Sequence, residues 1–147
     1  MFVIPEFIDV GGPWRVLPLG IHDATLEEVE ERFATNQQRK KLFRGFIKAC
    51  KSLKSAGCSV LYLDGSYTTE APYPQDYDVC WNPLGVDETK LDPVFYDFSN
   101  GRQKQKAKYG GEFFLSSAKA DGSHLFIQYF QTDKVTGQEK GIIRIYL

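Results

Sequence analysis

The sequence predicts an α+β, α/β-like domain: a mixed β-sheet packed against two or three helices. Three observations lead there. Two helical segments with clear start signals come first, at 25–34 and 36–56. Short runs rich in β-branched and aromatic residues then follow, at 59–63, 77–81, 112–115, 124–130 and 142–146. A basic helical stretch at 101–109 interrupts those runs. The 147 residues suit one domain, taken as 1–147.

Each element has its own reason. Residues 1–22 mix Pro5, Gly11, Gly12, Pro13, Pro18 and Gly20 with Phe2, Ile4, Phe7, Trp14 and Leu17. No period connects them, so they read as an irregular arm that packs on the domain. Thr25-Leu26-Glu27-Glu28 is a capping box, in which Thr25 accepts an orphan helix N–H and Glu28 reaches back. Asn36 caps a longer helix that ends near Ala56-Gly57. Its apolar face is Leu42, Phe43, Phe46, Ile47, Cys50 and Leu53, at the 3.6-residue period.

Ser59 to Leu63 is a short apolar run, hence a buried strand, and Asp64-Gly65-Ser66 breaks it. Tyr77 to Trp81 forms the next strand, stopped by Asn82-Pro83, and a short helix is expected around 87–91. Ser99 or Asn100 caps the basic helix and Gly110-Gly111 stops it. The polar stretch 132–140 suits a hairpin between strands at 124–130 and 142–146.

Composition excludes several classes of function. Hydrophobic residues are 42% of the chain, which supports a real core, and the net charge of −1 gives no global field toward nucleic acid or membrane. Cys50, Cys58 and Cys80 lie in apolar runs, are odd in number and show no zinc-ligand spacing, so buried reduced thiols in a cytoplasmic protein are expected. The N-terminus lacks the pattern of a signal peptide, and no run approaches the roughly 20 apolar residues of a membrane span. No membrane partner is expected.

The chemistry-bearing stretch is Leu61-Tyr62-Leu63-Asp64-Gly65-Ser66-Tyr67, followed by Gln75-Asp76-Tyr77-Asp78-Val79-Cys80-Trp81. Alternate strand residues share a face about 6.5–7 Å apart, so Asp76 and Asp78 project together, with Tyr77 opposite. Two carboxylates on one face repel, and a hard divalent cation such as Mg²⁺ relieves this where phosphates complete its shell. Gly65 lets backbone N–H groups approach a phosphate, and the Ser66 hydroxyl can donate to it. Charge neutralisation and positioning are what phosphoryl transfer requires.

A strand ending in Gly-Ser, a loop, then Asp-x-Asp on the following strand resembles the nucleotidyltransferase superfamily, which includes polymerase β and small bacterial antitoxin-type enzymes. The whole chain, with Pro18-Leu19-Gly20-Ile21-His22 and Phe130-Gln131-Thr132-Asp133, is also similar to short bacterial proteins assigned to that fold. The resemblance implies transfer of a nucleoside monophosphate from a nucleoside triphosphate to a protein or RNA acceptor with Mg²⁺. Asp76 and Asp78 would be catalytic and metal-binding, and Gly65, Ser66 and Tyr67 would contact the nucleotide. It further implies a partner protein in a toxin–antitoxin or phage-defence pair.

The chain departs from the superfamily pattern in two places. Prolines in Tyr67 to Pro74 give a loop where a helix is usual. The third carboxylate normally comes from a later strand, and the natural one, 124–130, offers only Gln128. An amide is no base and a weak metal ligand, so a catalytically inactive module that binds or neutralises a partner is the alternative reading. His124, Glu112 and Asp121 are the nearest other candidates for acid–base work. Tyr67, beside the turn, would stack on a base or accept a nucleotidyl group. Lys41, Arg44, Lys48 and Lys51 recur at steps of three and four, giving a basic stripe that is either a solvated helix face or a track for RNA phosphates.

Overall fold

The computed structural model describes residues 2–118, 120, 125–133 and 136–147. Five strands and four helices confirm the α+β class with a mixed sheet. In chain order they are β1 (Ile21–Asp23), α1 (Leu26–Phe33), α2 (Gln37–Ser55), β2 (Val60–Asp64), β3 (Tyr77–Trp81), α3 (Ser99–Tyr109), β4 (Gly111–Leu115), α4 (Phe126–Tyr129) and β5 (Ile142–Tyr146). Single 3₁₀ turns occupy Ser66–Thr68 and Pro93–Tyr96.

The strand order across the sheet is β1-β5-β2-β3-β4. β5 runs parallel to β1 and antiparallel to β2, β2 is antiparallel to β3, and β3 is parallel to β4. Period-two alternation divides the side chains between two faces. Leu61, Leu63, Val79, Trp81, Phe113, Ile143 and Ile145 enter the main core beneath α1, α2 and α3, with Val29, Phe33, Phe46 and Leu53. The opposite face carries Cys80, Phe114 and Ile142, covered by Phe126, Ile127 and Phe130 from the α4 segment.

Both helix starts form as the caps dictate. Thr25 and Glu28 close a reciprocal capping box, and Asn36 accepts from the Arg39 N–H at 2.9 Å. α2 crosses α3 at backbone contact: a Cβ on Gly45 would lie 1.9 Å from the Tyr109 carbonyl oxygen. Tyr77 strengthens the same crossing by donating to that oxygen at 2.8 Å.

Arg39 is the unexpected member of α2. It is 3% exposed, and its guanidinium donates to the carbonyls of Phe33, Tyr67, Thr69 and Ala71. The segment after β2 has no ladder to satisfy its carbonyls, and the five-donor fork supplies the missing partners. The loop between Gly65 and Ala71 is therefore anchored to a helix, although it lacks regular structure of its own beyond one 3₁₀ turn.

Several sequence expectations need correction. The described part of the 124–130 run, residues 125–130, is not a strand: Phe126–Tyr129 is helical, and the sheet position beside β5 belongs to β1 from the arm. Phe126 and Phe130, four residues apart, pack on Phe114 from the helix side, one tilted and the other edge-on. Among the described residues of the expected hairpin, one bridge is present, Thr132 with Glu139. Residues 87–91 form turns, and the helical turn comes later, at Pro93–Tyr96, capped by Asp92. The arm is irregular as read up to Gly20, apart from an Ile8–Val16 bridge, and then enters the sheet.

Candidate functional site

The site follows from strand register. Asp64 pairs directly with Asp78 across β2 and β3, and Asp78 pairs with Glu112 across β3 and β4. All three occupy the sheet face opposite the main core. With neighbouring strands about 4.8 Å apart, the row of carboxylates spans about 10 Å. Asp76 lies just before β3, on the same side.

Gly65 ends β2 with φ +89° and ψ −167°, a conformation that side-chain-bearing residues avoid. A Cβ there would come within 2.9 Å of Asp78 Oδ2, so the aspartate lies directly over the turn. Ser66 is exposed, and among the described residues its hydroxyl makes no hydrogen bond. The two aspartates and the Gly-Ser turn, joined in the sequence only by spacing, thus line one cleft of about 610 Å³. α4 aromatics form one wall, and Trp14 and Lys140 stand on the other side.

Cations thread this acidic cleft. Lys140, 7% exposed, donates to Asp64 Oδ1 at 2.9 Å. Lys106 of α3 lies 2.9 Å from Glu112 Oε1 and 3.8 Å from Asp76 Oδ2, and its pKa is raised chiefly by the Glu112 hydrogen bond. The Arg102 guanidinium rests 3.9 Å from the centroid of Phe114; burial pulls its pKa down, against the charges of Glu112 and Asp78. Beneath Asp64 and Asp78, burial foremost and then those two charges push the Cys80 thiol well up. That cysteine is a packing residue.

The expected site residues separate into two groups. Gly65, Ser66, Asp76 and Asp78 come together as expected. Tyr67 does not join them: it is 1% exposed, packs against Phe33 and Tyr77, and donates to the Arg39 carbonyl at 3.1 Å. Burial raises its pKa, so it neither stacks on a ligand nor offers a phenolate. Gln128 also leaves the site, since its side chain accepts from the Leu125 N–H at 2.9 Å and caps α4. His124 and Asp121 lie outside the described residues.

Glu112 takes the position expected of Gln128, as an acid on the strand next to Asp78. The signal was the alternation Glu112-Phe113-Phe114-Leu115 on a strand following the basic helix. Its pairing with β3 could not be read from composition. Lys106 comes from the basic helix of 101–109, whereas Lys140 and Trp14 belong to no motif and had no signal.

Among the described residues, no three acidic, histidine or cysteine side chains gather closely enough to hold a metal ion as they stand. The donors are the hard oxygens that Mg²⁺ takes, and they share one face; the fit lies in chemistry and placement, not in a preformed cage. Among the described residues, no helix is long and apolar enough to cross a membrane.

Fold and site together define an α+β domain with an acid-lined cleft at a strand-to-turn junction. The chain belongs to DUF6932, a family of unknown function, whose profile matches residues 12–146. Searches of curated proteins and of solved structures found no match.

Proposed function

We propose that the protein is a nucleotidyltransferase-type enzyme that moves a nucleoside monophosphate from a nucleoside triphosphate to a protein or RNA hydroxyl. One observation carries this reading: Asp78 lies over the Gly65 turn while paired in register with Glu112 on the next strand. The Gly65-Ser66 turn, a pair of aspartates and a third acid on the adjoining strand then face one cleft.

In this reading Asp76, Asp78 and Glu112, drawn closer than they stand, would hold Mg²⁺, which would neutralise charge on the phosphoryl oxygens. Gly65, without a Cβ, admits the triphosphate against the backbone, and Ser66 Oγ donates to a phosphate oxygen. The acceptor oxygen bonds to the α-phosphorus as the bond to the pyrophosphate oxygen breaks. Glu112 takes the acceptor's proton. Lys140 holds Asp64 at the inner end of the acid row.

A second reading has its own observation. Lys106 already spans Glu112 and Asp76 from one ammonium group, which is where a cation would act. A domain satisfied in this way would serve as a non-catalytic module that binds or neutralises a partner, such as the other member of a toxin–antitoxin or phage-defence pair.

Labelled nucleoside triphosphates, Mg²⁺, RNA and candidate partner proteins test both. Label transfer by the wild type, abolished in Asp76→Ala/Asp78→Ala and reduced at least about 100-fold in Glu112→Gln, supports the enzyme. Absence of transfer to every acceptor overturns it. A partner complex that survives the double substitution supports the module.

A further inference from the structure

α2 carries seven cations, Arg39, Lys40, Lys41, Arg44, Lys48, Lys51 and Lys54, and no acid. In a chain of net charge −1, that leaves −8 for everything outside this helix. Arg39 is buried; the other six are exposed. At 100° per residue they occupy an arc of about 140° and extend about 21 Å along the axis.

Ion pairs are missing along this face and common elsewhere, where Arg32, Lys90 and Arg102 are the described cations without one. Elsewhere Arg15 sits on Glu70, Lys104 on Asp97, Lys106 on Glu112, Lys108 on Asp92, Lys140 on Asp64 and Arg144 on Asp23. None of the six exposed α2 cations pairs with an acid among the described residues. Like charges three and four residues apart along one helix face repel and lower its stability. An anionic ligand removes that repulsion.

The face also leads somewhere. Its Lys41 borders a groove of about 320 Å³ between α2 and α3, together with Gln38, Gln75, Lys106 and Lys108. Gln75 and Asp76 then border the next depression, with exposed Tyr73, which shares Ser66 and Asp76 with the acid-lined cleft. The amides of Gln38 and Gln75 and the exposed Tyr73 along this path suit unstacked bases. The apolar side of α2 is committed to the core, which leaves nothing to insert into a bilayer.

We infer that the exposed cationic face of α2, continued through the Lys41–Gln75 groove, binds the phosphates of single-stranded nucleic acid and leads the strand to the Asp76 edge of the cleft. This binding stands apart from the transfer reaction.

The test is fluorescence anisotropy of labelled 20-nucleotide RNA and DNA with the full chain, without nucleoside triphosphate or divalent cation. Four phosphate contacts predict roughly 50-fold weaker binding between about 50 and 200 mM salt. Arg44→Glu/Lys48→Glu/Lys51→Glu should abolish binding, and the milder Arg44→Gln/Lys48→Gln/Lys51→Gln should weaken it at least about tenfold. Thermal melts confirm folding, and Lys90→Glu/Lys104→Glu should bind as wild type. Asp76→Ala/Asp78→Ala, inactive under the proposed function, should still bind. The inference is overturned if no binding appears at low salt or if the α2 variants bind normally. Tighter binding to phosphatidylserine vesicles or polyglutamate than to either nucleic acid also overturns it. RNA above DNA, or the reverse, identifies which strand the face serves.

Discussion

Replacing Arg39 with Met keeps the length and apolar stem of the side chain but removes every donor. Four carbonyl oxygens, those of Phe33, Tyr67, Thr69 and Ala71, then lose a charged partner in a region 3% exposed at Arg39. A hydrogen bond to a charged group contributes about 1.5–3 kcal/mol, but the four are not additive, and the buried guanidinium carries a desolvation cost that the variant escapes. Burial does pull that guanidinium below its ordinary pKa. The expected net loss is about 3–5 kcal/mol, a large share of the roughly 5–15 kcal/mol that holds a domain of this size. Urea unfolding should show the midpoint falling by about 2 M for a slope near 2 kcal/mol per molar. Hydrogen exchange should accelerate first at the Thr68, Thr69 and Ala71 amides. Arg39→Lys, with fewer donors, should recover only part. A loss below about 1 kcal/mol, or unchanged exchange at 65–71, would refute the view that Arg39 anchors the turn.

Three further outcomes follow from the same fold. Gly65→Ala should cost about 1–3 kcal/mol in urea unfolding, because it places a Cβ on Asp78 in a glycine-only conformation; unchanged stability would mean the turn is not held as described. The three cysteines are buried, and burial pushes Cys50 up to about 12, so none should react with a thiol reagent at pH 8 until the chain unfolds, when three react. Arg144 holds the Asp23 carboxyl below its ordinary pKa through bonds of 2.6 and 3.0 Å. That stability is present above about pH 4 and is lost as pH falls through the depressed value. Asp23→Asn should therefore be less stable than wild type at pH 6, with the difference shrinking as pH falls below about 4; a difference that does not shrink with falling pH would exclude the ion pair as its source.

Much of the frame was legible because local chemistry decided it. Thr25 with Glu28, Asn36, and the Leu42–Leu53 periodicity act within a few residues, and so does the strand-breaking Gly65. The approach of Asp76 and Asp78 to the turn was also legible, since strand alternation fixes which side chains share a face. The failures were non-local. A short apolar run such as 124–130 reads as strand or helix until its neighbours are known, and here a three-residue strand from the arm had already taken the open edge. Tyr67 was assigned to the ligand because it follows Ser66; its direction was set by Phe33, Tyr77 and Arg39, distant in sequence. Glu112 and Lys140 reach the cleft only through strand register and a loop contact, neither written in their immediate surroundings.

The position of β5 has a consequence for biosynthesis. As the chain leaves the ribosome, β1 and β2 emerge early, yet the strand that zips them together is encoded far downstream. Until Ile142 to Tyr146 arrive, β1 has no neighbour and one edge of β2 is bare, while α1, α2 and the β2–β3 pair can already assemble. Closure of the sheet is consequently a late, long-range event, of the kind that slows folding. A nascent chain stalled before Gly141 would present an open hydrophobic ledge that chaperones recognise.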